Sequence, residues 1–476
     1  MKRILTLLLL LLLLPVAAYG QQVEGGPRVA DSGGFPKVSA LFDGNTKKGP
    51  TAQDGAYLTL EEPEGLGYLY LIFDTEYPRF TVTGEDGESK TVGEEQFLHS
   101  LVDVSALFGK PQTRVTLSFE EGPVPLLELF LFTPGELPDW VQQWEPPAEG
   151  ETDLVLFSTH CDDEQLFFAG VLPYYAGELG YKVEVVYLTN HRNLSENPNL
   201  RCHEALDGLW ACGVKQYPVF GSFNDYYCRR EEDAISQYQN LQNVTMDDLL
   251  GFVVEQIRRF KPLVALGHDL NGEYAHGAHM LYADLLTQSW EAAASDWAYP
   301  DSLQRYGPWW TPKLYLHLYA ENPITMDWDQ PLSAFGGMTA YEVCKEKGFP
   351  SHASQVSGFD WYMSGHDKAS DIPKYSPCSF GLWATTVGPD KEGGDFFENL
   401  KPYAQQKAEA ARLEAERQAQ EAARLETEPE TEAATETQTE ASTEPPKEEN
   451  THFPYAFFLV PPLLVLATIL VLRKKP

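Results

Sequence analysis

The sequence is poor in positive charge. Its 35 lysines and arginines are set against 70 aspartates and glutamates, a formal net charge of -35. That balance excludes nucleic acid or anionic lipid as a partner recognised through charge. Cysteine is scarce too: Cys161, Cys202, Cys212, Cys228, Cys344 and Cys378 fit no paired-cysteine zinc spacing. If any two are joined, Cys344 and Cys378, in a loop-rich region, are the first pair expected. No Gly-x-Gly-x-x-Gly follows the first buried-strand pattern, so a dinucleotide is not the ligand. No internal repeat is visible.

What is present at the two ends reads as an address. Lys2-Arg3, a run of mostly leucine from Ile4 to Leu14, Pro15 and Ala18-Tyr19-Gly20 form a secretory signal peptide over residues 1–20. Phe453 to Leu472 is apolar and long enough to cross roughly 30 Å of hydrocarbon as a helix, with Pro461-Pro462 as a kink. Arg473-Lys474-Lys475 follow, a basic tail (473–476) that the positive-inside rule keeps in the cytoplasm. The expected location is the cell surface, with one C-terminal anchor.

Residues 21–148 carry short aromatic and β-branched runs between Gly and Pro: Tyr57 to Leu60, Tyr68 to Phe73, Arg79 to Thr83, Arg114 to Phe119 and Leu126 to Phe132. These predict an all-β sandwich. Leu41-Phe42-Asp43-Gly44 and Gly55 to Leu60 loosely resemble a discoidin-type jelly roll, a class of module that often binds glycans. Leu137 to Glu149 is a Pro-rich join whose Trp140 and Trp144 are expected to pack at a domain interface. Residues 149–403 then alternate strand and helix patterns: strands at Leu154 to Phe157, Val183 to Leu188, Leu263 to Leu266 and Leu314 to Leu318, helices at Glu164 to Leu179 and Met246 to Phe260. The expected fold class is α/β, a Rossmann-like, mostly parallel sheet. Residues 330–403 read as mostly irregular. Residues 404–452 read as a solvated helix followed by a disordered acidic stalk.

The chemistry is concentrated in two places. His160, Asp162, Asp163 and Glu164 stand at the carboxyl end of the first buried strand, where open α/β sheets bind ligands. More than a hundred residues on, His268-Asp269 and then Glu273-Tyr274-Ala275-His276-Gly277-Ala278-His279 follow another apolar run. Carboxylates are rarely buried unless paired or bound to a metal. One metal site built from both clusters is the simplest joint reading. His160, Asp163 and His279 fit the three N/O ligands of a catalytic zinc, and Asp162, beside a ligand without being one, fits the base that deprotonates its water.

HCDDE at 160–164 resembles the HPDDE motif of the PIG-L/LmbE-like N-acetylglucosamine deacetylases, and GEYAHGAH at 272–279 resembles their second motif, over roughly residues 151–355. The resemblance implies Zn2+ on His160, Asp163 and His279, with another divalent metal such as Fe2+ able to serve. It implies Asp162 as general base, His276 as the imidazole that steadies the tetrahedral intermediate or protonates the amine, and Tyr274 as a mobile donor to the oxyanion. It also points to Arg201 and Glu204, the family's R-x-x-E, and to Asp225 on the substrate side; His352-Ala353-Ser354-Gln355 resembles a late family segment. His191 and Arg192, after the second strand, are expected to line the pocket. His99, His203, His317, His366 and His452 carry no expected role. Two positions depart from the pattern: Cys161 replaces a proline, and Gly277-Ala278 replace Pro-Asp. The implied activity is removal of an acetyl group from an amino sugar or glycoconjugate. The alternatives are an amidase on another amino-sugar conjugate and a non-catalytic glycan-binding surface protein.

Overall fold

The computed structural model describes residues 20–193 and 197–427. All of the expected leader but Gly20, the stalk beyond residue 427, the anchor at 453–472 and the basic tail lie outside the described residues. Among the described residues no helix is long and apolar enough to cross a membrane. One compact unit runs to Arg412; residues from Leu413 belong to a second, described only as the rest of the helix Tyr403–Thr427.

The first part of the chain forms two antiparallel sheets. One orders Gln22–Val23, Leu126–Phe132, Tyr68–Phe73 and His99–Asp103; the other orders Val29–Gly33, Tyr57–Leu66, Gln112–Ser118, Phe80–Thr83 and Ser89–Val92. Alternating residues explain their pairing face to face. Leu58, Leu60, Val115 and Leu117 from one sheet share a core with Leu69, Leu71, Leu129 and Leu131 from the other. The outer face of the first sheet is apolar as well, through Tyr70, Ile72 and Phe132, because the join packs Val141 against it.

The α/β part is built on strands β1 (Leu154–Ser158), β2 (Val183–Thr189), β3 (Val219–Phe223), β4 (Val264–Gly267), β5 (Lys313–His317), β6 (Pro323–Thr325) and β7 (Ser379–Thr385). Their order is β3-β2-β1-β4-β5-β7-β6. The first five run parallel; β7 is antiparallel to both β5 and β6. Strands β1 and β2 are buried along their whole length, as their unbroken apolar runs require. The 330–403 region is thus less irregular than expected, since β7 is a full strand of the sheet.

The helix expected over Glu164 to Leu179 is broken. A single turn, α1 (Asp163–Leu166), ends it. Gly170 takes φ +100, and a Cβ there would lie 2.4 Å from the Trp328 ring. The chain then resumes as a wide turn over Pro173–Glu178. Helices α2 (Leu200–Ala211), α3 (Met246–Phe260) and α4 (Gly277–Ala294) cover the sheet. Thr245 and Asp248 form a reciprocal cap at the start of α3. The buried Arg258 gives its guanidinium to the carbonyls of Ala292, Ala293 and Ser295 at the end of α4.

Trp144 packs on Trp210 and Tyr217 at 5.5 and 5.7 Å. A buried chain, Tyr70 Oη to His99 Nδ1 (2.9 Å) and His99 Nε2 to His203 Nδ1 (2.9 Å), joins the first sheet to α2. All six cysteines are free thiols. Cys344 meets Cys212 and not Cys378, because the segment Cys344–Gly348 packs on α2; Cys161 likewise meets Cys202.

Candidate metal centre

The two acid and imidazole clusters meet because β1 and β4 are adjacent parallel strands, so their carboxyl ends open side by side. His160 and Asp163 come from the loop and turn after β1. His279 comes from the first turn of α4, three residues after His276, on one face of the helix.

His160 Nδ1, Asp163 Oδ2 and His279 Nε2 form a triangle with sides of 3.1, 3.0 and 3.3 Å. Three donors about 2.0–2.2 Å from a tetrahedral cation stand about 3.3–3.6 Å apart, so the triangle, at 3.0–3.3 Å, needs to open by only a few tenths of an ångström to take a small divalent ion. Tautomers agree with this. His279 donates its Nδ1–H to Glu273 Oε2 (2.7 Å), leaving the Nε2 lone pair toward the triangle. His268 is close, its Nε2 3.5 Å from Asp163 Oδ2, but that nitrogen already accepts the Thr159 N–H (2.9 Å). Burial opposes charge on all three, yet the neighbouring carboxylates lift His160 to about 10 and His279 to about 9, while the imidazoles hold Asp163 well below the carboxylate range. This is how acids and imidazoles gathered for a cation behave when protons must neutralise them.

Sequence reading passed over the centre of this arrangement. Glu273 is fully buried and accepts from three imidazoles: His268 at 2.9 Å, His279 at 2.7 Å and His317 at 2.5 Å. The signal was available, since Glu273 lies within the second motif and His268 and His317 stand at the ends of β4 and β5.

Asp162 is buried with φ 149 and ψ -25, a conformation side chains rarely adopt. Its N–H donates to Glu164 Oε2 (2.9 Å), and Glu164 Oε1 pairs with His352 Nε2 (2.7 Å). Arg201 Nη2 lies 3.2 Å from Asp162 Oδ1 and also donates to the Cys161 carbonyl. Burial raises the Asp162 carboxyl to about 7 against the pull of Arg201.

The other sequence candidates divide into those the structure places at this centre and those it does not. Arg201 and Glu204 have separate partners: Arg201 pairs with Asp162, and Glu204 accepts the N–H and Oγ–H of Ser354, at 2.9 and 2.6 Å. Asp225 Oδ1 is 3.5 Å from His160 Nε2, behind the triangle, and its Oδ2 accepts from His191 Nδ1 (3.1 Å). His191 faces inward, its Nε2 accepting the Cys161 N–H (3.1 Å). Arg192 points away, to Asn199 and Glu76. His276 is buried and its Nδ1 accepts the Ala278 N–H (3.2 Å), so its proton sits on Nε2. Burial, then His160 and His279, depress it to about 2, which keeps the ring neutral. Tyr274, in a left-handed conformation, sets its ring 5.5 Å from both His276 and His279, with Phe359 behind it at 6.1 Å.

No protein-family model matches the chain. A curated relative, the 1D-myo-inositol 2-acetamido-2-deoxy-alpha-D-glucopyranoside deacetylase of Rhodococcus erythropolis, is 27% identical over 293 residues, covering 52% of this chain and 97% of that protein. Among solved structures, the conserved protein TT1542 of Thermus thermophilus is similar with a TM-score of 0.33 and 16% identity, over 50% of this chain and 97% of its own. The N,N'-diacetylchitobiose deacetylase of Pyrococcus horikoshii gives 0.30 and 15%, over 49% and 84%.

Proposed function

Because this chain belongs, through its α/β part, to the PIG-L/LmbE-like deacetylases, we propose that it is a metal-dependent hydrolase that removes the N-acetyl group of N-acetylglucosamine-type sugars or glycoconjugates. The observation that carries the reading is the donor triangle of His160, Asp163 and His279 with Asp162 one residue from a ligand. Two nitrogens and one oxygen suit Zn2+, and Fe2+ as a substitute. Held there, the cation would polarise the amide carbonyl and make a water acidic.

The protein's own groups do the rest. Asp162 takes the proton of the attacking water; Arg201 fixes its carboxylate and Glu164 its backbone. His276, protonated at Nε2, donates to the oxygen that becomes negative, and the Tyr274 hydroxyl is the second donor. Asp162 then passes its proton to the nitrogen as the C–N bond breaks, releasing acetate and a free amine. The half-buried Tyr274 must shift to admit the acetamido group, since none of His160, Asp162, Asp163, His276 and His279 is more than 5% exposed.

The proposal includes the address: an exported enzyme, held at the cell surface by residues 453–472, with residues 21–148 as a jelly-roll-like sandwich beside it. The test is acetate release from a panel of N-acetylated saccharides. Release abolished by a chelator and restored by Zn2+ is the expected outcome. Folded, metal-free protein that turns over undiminished, or silence across the panel, overturns the reading.

A further inference from the structure

Gly277 stands where the family resemblance has proline, and the structure gives two reasons. Its N–H donates to the Cys228 carbonyl (2.9 Å), a bond proline has no hydrogen to make. A Cβ at Gly277 would lie 2.3 Å from the Arg230 carbonyl oxygen and 2.6 Å from Cys228 Sγ. The loop between β3 and the next helix therefore seats directly on the first residue of α4.

That loop is held at several points. Asn193 clamps the Asp225 backbone from both sides, accepting its N–H (3.0 Å) and donating to its carbonyl (2.7 Å). Tyr226 turns inward, its ring 5.6 Å from the buried Tyr238 and its hydroxyl accepting from Asn224 (3.0 Å). Tyr227 turns outward. It is 61% exposed, yet its ring centre is 5.1 Å from that of His276, at 82°. A large aromatic face is thus held open to solvent beside the imidazole assigned to the reacting carbonyl, on a loop with little freedom to fold it away.

We propose that Tyr227 is the platform on which the pyranose ring bearing the acetamido group stacks, and that Gly277 is what lets the 225–230 loop bring it there. A pyranose presents an apolar C–H face that an aromatic ring removes from water, while its hydroxyls stay solvated at the rim. The inference rests on the amino-sugar reading and narrows it: recognition uses the face of the sugar as well as its acetamido group.

The test compares the full-length, Zn2+-loaded protein with Tyr227→Ala, Tyr227→Phe and Gly277→Ala. Two substrates are needed: the best saccharide of the panel and N-acetylethanolamine, an acetamide with no ring. Tyr227→Ala raises KM for the saccharide about 3–10-fold with kcat little changed, and leaves the acyclic amide unaffected. Tyr227→Phe restores the saccharide KM, because the face and not the hydroxyl is used. Gly277→Ala reproduces the KM defect while Zn2+ affinity holds. An unaltered saccharide KM in Tyr227→Ala, equal losses on both substrates, or a Phe variant as poor as the Ala variant overturns the platform. Calorimetric binding of the deacetylated saccharide to wild type and Tyr227→Ala separates the two ideas. Binding that depends on Tyr227 without acetate release sinks the reaction and keeps the platform; acetate release with binding and KM indifferent to Tyr227 sinks the platform and keeps the reaction; neither binding nor acetate release sinks both.

Discussion

Asp162 occupies a backbone conformation that costs of order 1–3 kcal/mol and keeps it only because Glu164 and Arg201 hold it from two sides. Replacing it with asparagine leaves the triangle intact and removes the proton acceptor. Asp162→Asn is expected to bind Zn2+ normally, by metal analysis, and to lose kcat by about 10²–10⁴-fold. A variant with full activity would refute the assignment. The carboxyl, lifted to about 7 by burial, is idle when protonated, so activity climbs with pH through an acidic limb. A cation next to it only lowers that limb, which is therefore expected at or below pH 7 in the pH profile of kcat/KM. Glu273 offers a second test. With glutamine in its place the three imidazoles lose a charged acceptor, and Zn2+ affinity is expected to fall about 10–100-fold in a competition titration.

At the scale of elements, Glu184 is the anomaly in β2. It lies buried in a parallel strand, accepts one N–H from Ala148 (2.6 Å), and burial raises it from 4.5 to about 8. The fold keeps a proton there that the unfolded chain releases from pH 4.5 upward, so this group costs stability progressively between 4.5 and 8. Glu184→Gln is expected to match wild type near pH 4 and to exceed it by roughly 2–4 kcal/mol above pH 8 in denaturant melts. Elements with a clean period were legible from the sequence: α3 shows an apolar stripe between a Thr cap and a basic end, and β1 and β2 are unbroken apolar runs. Strand β7 was not, because Gly381 interrupts it where the carbonyls of Tyr319 and Glu321 leave no room for a side chain. The broken helix after β1 was missed for a related reason. The demand for a glycine at 170 comes from Trp328, far along the chain. At the metal centre the ligands were legible as motifs, while Glu273 takes its meaning from three histidines that only the folded sheet gathers.

For the molecule as a whole, the junction between the antiparallel sheets and α2 is an acid-sensitive part away from the metal centre. Burial depresses His203 to about 4 and His99 well below 6.5, so both are neutral inside. The unfolded chain takes up protons first, at its ordinary pKa near 6.5. The junction's contribution is therefore intact above about 6.5 and lost as the pH drops toward 4. Thermal melts are expected to show Tm falling over that interval, and falling less in His203→Gln.

Strand β7 has a consequence for how the protein is made. It lies between β5 and β6 in the finished sheet, yet it leaves the ribosome some sixty residues after β5. Until then the growing polypeptide carries a bare strand edge, the kind of surface that sticks to other chains. Synthesis halted before residue 379 should therefore yield aggregating fragments, and only passage of residue 385 lets the α/β layer close.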